Sequence, residues 1–418
     1  MMQRRAFGKI VLTGLATAAT VSAIDWAQWR GPKQDGVSPE SGLLQDWPAA
    51  GPKLVWTATG VGLGYSTVVT SGDRIFTSGD LDGQASVICL SAKDGARVWA
   101  TATGKPGSLG CCASDGPRAT PTVDAKAGLV FALSQHGEAV ALNLQDGKQV
   151  WKTDLAGDLG GPVPEWGYSA AAVLDDGKVI YTPGGKNGTV VALDAKSGKI
   201  VWRTKEFTDA PHYSPAVVAT IHGVKQYVQL TDANVVGINP KDGSLLWKAP
   251  RPGRTAVIPT PVIQGNLVYV TSGYGVGCNC FEIKKTGEKF EATELYQNKV
   301  MVNHHGGVIA IGENVYGHSD SKGWTCQNIK TGEVVWQDKT FSKGSIAYAD
   351  NRFVIRREDK EGTIALIAAS PAGYKEHGKF NPPNRSERHS WPHPVISNGR
   401  LYIRDQDVLL CYDLSAKG

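Results

Sequence analysis

The sequence predicts an all-β chain folded as an eight-bladed β-propeller, and three observations carry that expectation. The first is composition: 50 of 418 residues are glycine, and they fall between Val/Ile/Tyr-rich runs, as in many short strands joined by tight turns. The second is a recurring phrase, small-Leu-Asp/Asn-x-x-x-Gly-Lys-x-Val-Trp, which ends at Trp99, Trp151, Trp202, Trp247 and Trp336. Weaker copies end at Phe290 and Phe380, and with Trp56 the aromatic ends lie about 43 to 52 residues apart, the period of a propeller blade. The third is closure. The last repeat stops at Cys411-Tyr412-Asp413-Leu414 without an outer strand, while a spare outer strand, 53–56, precedes the first inner strand. That N-terminal strand is expected to complete the eighth blade and leave no open sheet edge.

Each repeat is legible in turn. Thr260-Pro261-Val262-Ile263 hairpins through Gln264-Gly265-Asn266 into Leu267-Val268-Tyr269-Val270. A third strand ends at Asp-Gly or Thr-Gly, where glycine supplies the positive φ of the turn. An outer strand follows, whose Trp covers the joint with the next blade while its indole N–H finds a backbone partner. Inner strands begin near Tyr65, Arg118, Tyr168, His212, Ile258, His304, Ser345 and His393, which gives eight blades in one domain, 53–418. Residues 24–52, with Trp26, Trp29 and Trp47, form an arm packed across the ring.

Residues 1–23 carry Arg4-Arg5, a short apolar run from Ile10 to about Ala19, and Val21-Ser22-Ala23. Charged start, greasy middle and small-x-small exit make a cleavable export signal of twin-arginine type. Removing Arg4, Arg5 and Lys9 takes the net charge from +5 to +2. The mature chain is therefore expected in the periplasm or otherwise exported, where disulfides form, with no segment of the ~20 apolar residues that span a bilayer. Its small, dispersed charge excludes a nucleic-acid footprint. No Walker loop, HExxH or zinc-ribbon spacing is present.

Function must come from one face of the ring. Turns that lead into inner strands, and turns between second and third strands, share the face around the channel mouth. That rule places His136, His212, His304, His305, His318, His389 and His393 there, with His222 and His377 elsewhere. Neutral imidazole ligates metals or acts as a base near pH 7. His304 and His305 are thus catalytic candidates, and His212, His304, His389 and His393 a candidate metal set drawn from several blades. Candidate carboxylates near the mouth are Asp115, Glu165 and Asp320, with Glu165 a catalytic candidate. Cys89, Cys326 and Cys411 occupy the repeat position of Ala141, Ala192 and Gly237, as small core fillers. Cys111-Cys112 and Cys278-x-Cys280 are expected on the histidine face as disulfides, with their pairing open.

The run Ala192-Leu193-Asp194-Ala195-Lys196-Ser197-Gly198-Lys199-Ile200-Val201-Trp202 resembles the tryptophan-docking motif of quinoprotein-type, PQQ-like β-propellers, and the resemblance spans 53–418. That family includes PQQ-dependent dehydrogenases and cofactor-free outer-membrane assembly propellers, so the motif speaks for the fold. The resemblance implies that Cys111, Cys112 and Arg118 contact a quinone. Trp166 or Trp391 would stack on it, and Lys343 or Arg254 would hold its carboxylates. The family's calcium-binding acid and amide set and its base aspartate have no counterpart in matching surroundings. Three readings follow: a PQQ-dependent dehydrogenase of an alcohol or sugar with a divalent ion such as calcium; a non-catalytic propeller binding envelope proteins; and a metal-dependent, lyase-like enzyme on sugars. In the third, the histidine cluster would hold the metal and Tyr65, Tyr168 or Tyr213 would serve in proton transfer.

Overall fold

A computed structural model describes residues 25–107, 109–110 and 116–416; the expected export signal, the Cys111-Cys112 pair and Asp115 lie outside the described residues. Among the described residues, eight sheets make up the ring, each an antiparallel meander of four strands, and the seventh gains a fifth, parallel strand, Val37–Ser38. The fold is the eight-bladed propeller. The first blade runs through Val69–Ser71, Arg74–Leu81, Gln84–Ser91 and Arg97–Gly104. The last comprises Val395–Ser397, Arg400–Asp405 and Val408–Asp413, and Lys53–Thr59 is its outer strand. Leu54 pairs with Tyr412 and Trp56 with Cys411, so the two ends of the propeller share one sheet.

Apolar residues fill the wedges between blades. Val173, Ile180, Ala192 and Trp202 of the third blade pack on Ala216, Tyr227, Val236 and Ile238 of the fourth. Outer-strand tryptophans lock these joints as expected, except that Trp247 Nε1 donates to Gln226 Oε1 of its own blade. Trp151 Nε1 donates to Ala195 O at 2.9 Å, Trp202 Nε1 to Pro240 O at 3.0 Å and Trp336 Nε1 to Ser370 O at 3.0 Å, each acceptor in the next blade. Beneath the Trp151 and Trp202 rings lie the turn glycines of the next blade, Gly198 and Gly243. Gly198 has φ +70, and a Cβ there would sit 2.7 Å from the Trp151 ring. Gly198→Ala therefore combines an unfavourable φ with a clash. A loss of about 1–3 kcal/mol is expected, to be read as a fall in the urea midpoint.

The fifth blade departs from the expected register. Its outer hairpin is long, Gly277–Thr286 against Lys289–Asn298, and Phe290 pairs with Lys285 near its tip. The docking aromatic there is Tyr296, not Phe290. Tyr296 lies opposite Cys280 at the bulge where other blades place Trp, and its hydroxyl donates to Ile329 O at 2.7 Å. Phe380, the other weak copy, does dock, with Gly51 beneath its ring.

This register also corrects the expectation for Cys278 and Cys280. Both are free and buried in the joint with the sixth blade. They stand two apart on one strand, so their side chains leave the same face in parallel and do not turn toward each other. Cys280 takes the small-residue position of the repeat, while Cys278 Sγ is 3.1 Å from Asn298 Oδ1.

Residues 25–38 run inside the central channel. Asp25 meets the first-blade hairpin at Ser71 and Gly72, on the face opposite the starts of the inner strands. The chain then climbs. Trp26 N donates to Thr70 Oγ1 (2.9 Å), Val123 N to Ala27 O (2.8 Å) and Trp29 Nε1 to Thr260 Oγ1 (3.0 Å). It turns at Gly31, and Gln34 exchanges hydrogen bonds with Ala216 O and Val218 N. Val37–Ser38 then descends parallel to Gly344–Ala349, pairing with Tyr348 and Ala349. Inner strands from six blades are bridged by this one hairpin-like plug, with Trp29 at its top.

Candidate functional site

Above Trp29 the channel opens into a cavity of about 390 Å³. Its wall is aromatic: Tyr65, Trp166, Tyr213, Tyr274 and Trp391, with Trp29 as floor. His304, His305, His389, His393 and Arg118 supply most of the polar groups, and no Asp, Glu or Lys is among the described lining residues.

The sixth and seventh blades fix the histidine pair. Asn303 Nδ2 donates to Gly307 O (3.1 Å) and His318 O (2.9 Å), and its Oδ1 accepts from Gly307 N (3.0 Å). Two glycines must follow, because a Cβ on Gly306 would enter the Gly344 carbonyl and one on Gly307 the Arg30 guanidinium. In the seventh blade Gly344 pairs with Arg357, which sets Lys343 and Glu358 side by side at the strand ends. Glu358 N donates to Lys343 O at 2.9 Å.

Five side chains meet there. His305 Nε2 is 2.5 Å from Glu358 Oε2. Lys343 Nζ is 2.8 Å from His304 Nδ1, 3.4 Å from Asp320 Oδ1 and 3.6 Å from Glu358 Oε1. The His304 and His305 rings lie 5.2 Å apart at 72°. His305 Nδ1 is buried and has no hydrogen-bond partner among the described residues. Burial pushes the His304 imidazole down to about 3, helped by His305 and Lys343. For Glu358 the largest single influence, burial, pushes upward. His305 and Lys343 together outweigh it and hold the carboxyl at about 2.

His393 and His318 are likewise neutral, lowered to about 3 and about 4, chiefly by burial. The linkage has one sign for all four groups. Each folded value lies below its unfolded value, so the unfolded chain binds more protons in acid and stability is lost as pH falls. The histidines begin this loss near pH 6.5 and Glu358 continues it from about 4.5 toward 2. The melting temperature should therefore fall already between pH 7 and pH 5, before exposed carboxylates titrate. A flat profile over that interval would contradict these environments.

Most of the mouth residues expected from sequence meet at the cavity. Arg118 donates through Nη1 to Trp166 O, and Tyr65 and Trp391 pack at 4.6 Å. His389 stacks on Trp391 at 4.9 Å with planes 3° apart. His393 lies beneath, 2.9 Å from His305 O and 4.7 Å from the Trp29 ring. Lys343 reaches the site through His304. His212 stands outside it, 3.5 Å from Asp232, because its ring turns toward the fourth blade's own loop. His136 and His318 do not line the cavity, and Glu165 and Arg254 are exposed on its surroundings. The set His212, His304, His389 and His393 is therefore not brought together as one ligand group. Instead His304, His305 and Glu358 each place one ligand atom within 4.8 Å of the others.

Glu358 escaped the sequence reading, although it occupies the second-to-third-strand turn of its blade. Carrying the mouth-face acids past Asp115, Glu165 and Asp320 to this turn of the seventh blade finds it.

The family described as outer membrane protein assembly factor BamB matches residues 83–338, more than half of the chain. The chain belongs to that family. Relatives within reach of this BamB-type propeller differ in what their names state. It is 34% identical over 109 residues to the tetrathionate hydrolase of Acidianus ambivalens, covering 24% of this chain and 19% of that protein. It is 29% identical over 194 residues to the polyvinylalcohol dehydrogenase of Sphingopyxis sp. (strain 113P3), covering 44% and 28%. The chain thus spans less than a third of the length of these two relatives. The quinohemoprotein alcohol dehydrogenase of Comamonas testosteroni superposes with a TM-score of 0.63 at 12% identity, covering 94% of this chain and 81% of that one, which shows the shared fold. The propeller is thus related both to PQQ-type dehydrogenases and to BamB-type assembly factors. No described helix is long and apolar enough to cross a membrane.

Proposed function

We propose that this BamB-family propeller is an exported enzyme that binds a compact, hydroxyl-rich molecule of sugar size in the channel-mouth cavity and moves a proton there. The observation that carries this reading is the 2.5 Å His305–Glu358 contact in the wall of an aromatic cavity whose floor is closed by Trp29. A carboxylate that orients an imidazole is the arrangement general acid–base catalysis requires. Flat Trp166 and Trp391 faces suit the C–H faces of a sugar ring, and Arg118 with the tyrosines offers donors for its oxygens.

The quinone and calcium implied by the family resemblance do not fit the described residues. A quinone with three carboxylates would find one lining cation, Arg118. Calcium takes six to eight oxygen ligands, whereas the group that converges here is two imidazoles and one carboxylate. That donor set suits a transition metal better, but the Lys343 ammonium already stands 2.8 Å from His304 and 3.6 Å from Glu358, where it opposes a second cation.

Three tryptophans line the cavity, so ligand binding reports on itself. Titrating the mature chain with aldoses and ketoses should quench tryptophan fluorescence saturably, and Trp391→Ala should weaken binding about tenfold or more. A panel without saturable change would end this reading. The family match would then favour a second one, a binding propeller for envelope proteins.

A further inference from the structure

The two adjacent histidines face the cavity in different hydrogen-bonding states, and their partners decide which. Lys343 is an ammonium with N–H groups only, so at 2.8 Å from His304 Nδ1 it must donate, and that nitrogen must carry the lone pair. A neutral imidazole whose Nδ1 accepts holds its proton on Nε2. His305 is the same tautomer, but its partnered and free nitrogens are exchanged. Glu358, an acceptor, holds Nε2 at 2.5 Å, so Nε2 carries the proton and Nδ1 the lone pair. That Nδ1 is buried without a partner among the described residues, and its side chain is only 10% exposed. An unpaired acceptor in a dry wall is a cost that a substrate hydrogen would relieve.

From these contacts we infer that His304 and His305 divide the work of one reaction, His304 donating Nε2–H to a carbonyl oxygen and His305 Nδ1 removing the proton from the adjacent carbon. The substrate class is an α-hydroxy aldehyde or ketone, and the reaction is enolisation leading to isomerisation or epimerisation. The inference rests on the proposed enzymatic reading of the same cavity and adds its substrate chemistry.

The step balances without a co-reactant. The C–H bond breaks, its proton passes to His305 Nδ1 and its electron pair forms the C=C bond. The carbonyl π pair moves to oxygen, which is held by His304 Nε2–H. Returning the proton to the neighbouring carbon or to the other face of the same carbon completes the turnover, after transfer of a hydroxyl proton where the carbonyl migrates. A neutral imidazole is matched to this task, because its N–H donates strongly to an enolate yet keeps its proton. The low value of His304, about 3, keeps it neutral at every pH where the protein would work. Lys343 and Glu358 are positioning residues: one fixes the tautomer of His304, the other that of His305.

Two measurements on the full mature protein test this. Long-range ¹⁵N–¹H NMR of histidine-labelled protein should show His304 as the Nε2–H tautomer, with that pattern lost in Lys343→Met, where no donor faces Nδ1. Dihydroxyacetone in D₂O should incorporate deuterium in the presence of the protein, followed by ¹H NMR. His304→Ala and His305→Ala should each lower that rate at least a hundredfold, and His304→Gln, which restores an N–H donor, should recover part of it. An Nδ1–H tautomer or an imidazolium at His304 overturns the inference whatever the protein binds. The expected tautomers with no deuterium incorporation overturn the carbonyl substrate class. Failure of the enzymatic reading has a separate mark, the absence of any saturable fluorescence change with hydroxylated ligands.

Discussion

His305→Ala is expected to lower turnover of a substrate bound in the channel mouth by about 10²–10⁴-fold, the range that a positioned acid or base contributes, while leaving the propeller folded. His305 lies in the cavity wall, outside the apolar clusters that fill the wedges between blades. Its loss leaves Glu358 with Lys343 at 3.6 Å, so no buried carboxylate is stranded without a cation. Glu358→Gln should fall in the same direction by a smaller factor, since the amide still accepts from Nε2–H but no longer stabilises an imidazolium. Steady-state rates beside a thermal melt separate the two effects. An unchanged rate in His305→Ala would remove the histidine pair from the chemistry.

The largest expected loss of stability is at Trp26. Its side chain is 3% exposed and packs with Val61, Val68, Val395 and Tyr402 where the first and last blades meet. Trp26→Ala removes that contact area and leaves a cavity, at a cost of about 3–5 kcal/mol. The effect should spread, because Trp26 anchors the segment whose next turn carries Trp29. Loosening it lowers the cavity floor, so ligand affinity should fall together with the urea midpoint. Trp29→Ala should instead weaken binding with a smaller stability loss, since Trp29 lies at the tip of the plug. Equal unfolding midpoints for wild type and Trp26→Ala would show that the plug does not brace the ring.

The ring was legible in the sequence because its repeat is a physical device. A small residue at the bulge, a turn glycine and a docking aromatic coincide in most blades, and Cys89, Ala141, Ala192, Gly237, Cys326 and Cys411 all stand opposite their tryptophans. Spacing alone misled once, in the fifth blade, where the lengthened hairpin of 277–298 moves the docking role from Phe290 to Tyr296. The same lengthening hid that Cys280 is a core residue.

The site was legible only in part. The family resemblance pointed to Arg118, Trp166 and Trp391, and mouth-face placement by repeat position found His304 and His305, since turns at fixed points of a blade gather at one end of the channel. It did not find Trp29, because the plug's path is set by hydrogen bonds to strands far apart in sequence, such as Trp29 to Thr260 and Arg30 to Val308. Nor did it find Glu358, whose partner His305 is 53 residues away. His212 shows the opposite limit. Position brings a side chain to the mouth, but its own neighbours, here Asp232 and Val257, decide where the ring turns.

The most direct test of the account is a calorimetric titration of mature protein with a ketose and, separately, with PQQ in the presence and absence of Ca²⁺. The cavity described here predicts saturable binding of the ketose that is lost in Trp391→Ala, and no PQQ binding that calcium strengthens. Tight, calcium-dependent PQQ binding with no response to sugars would contradict it and make the propeller a quinoprotein.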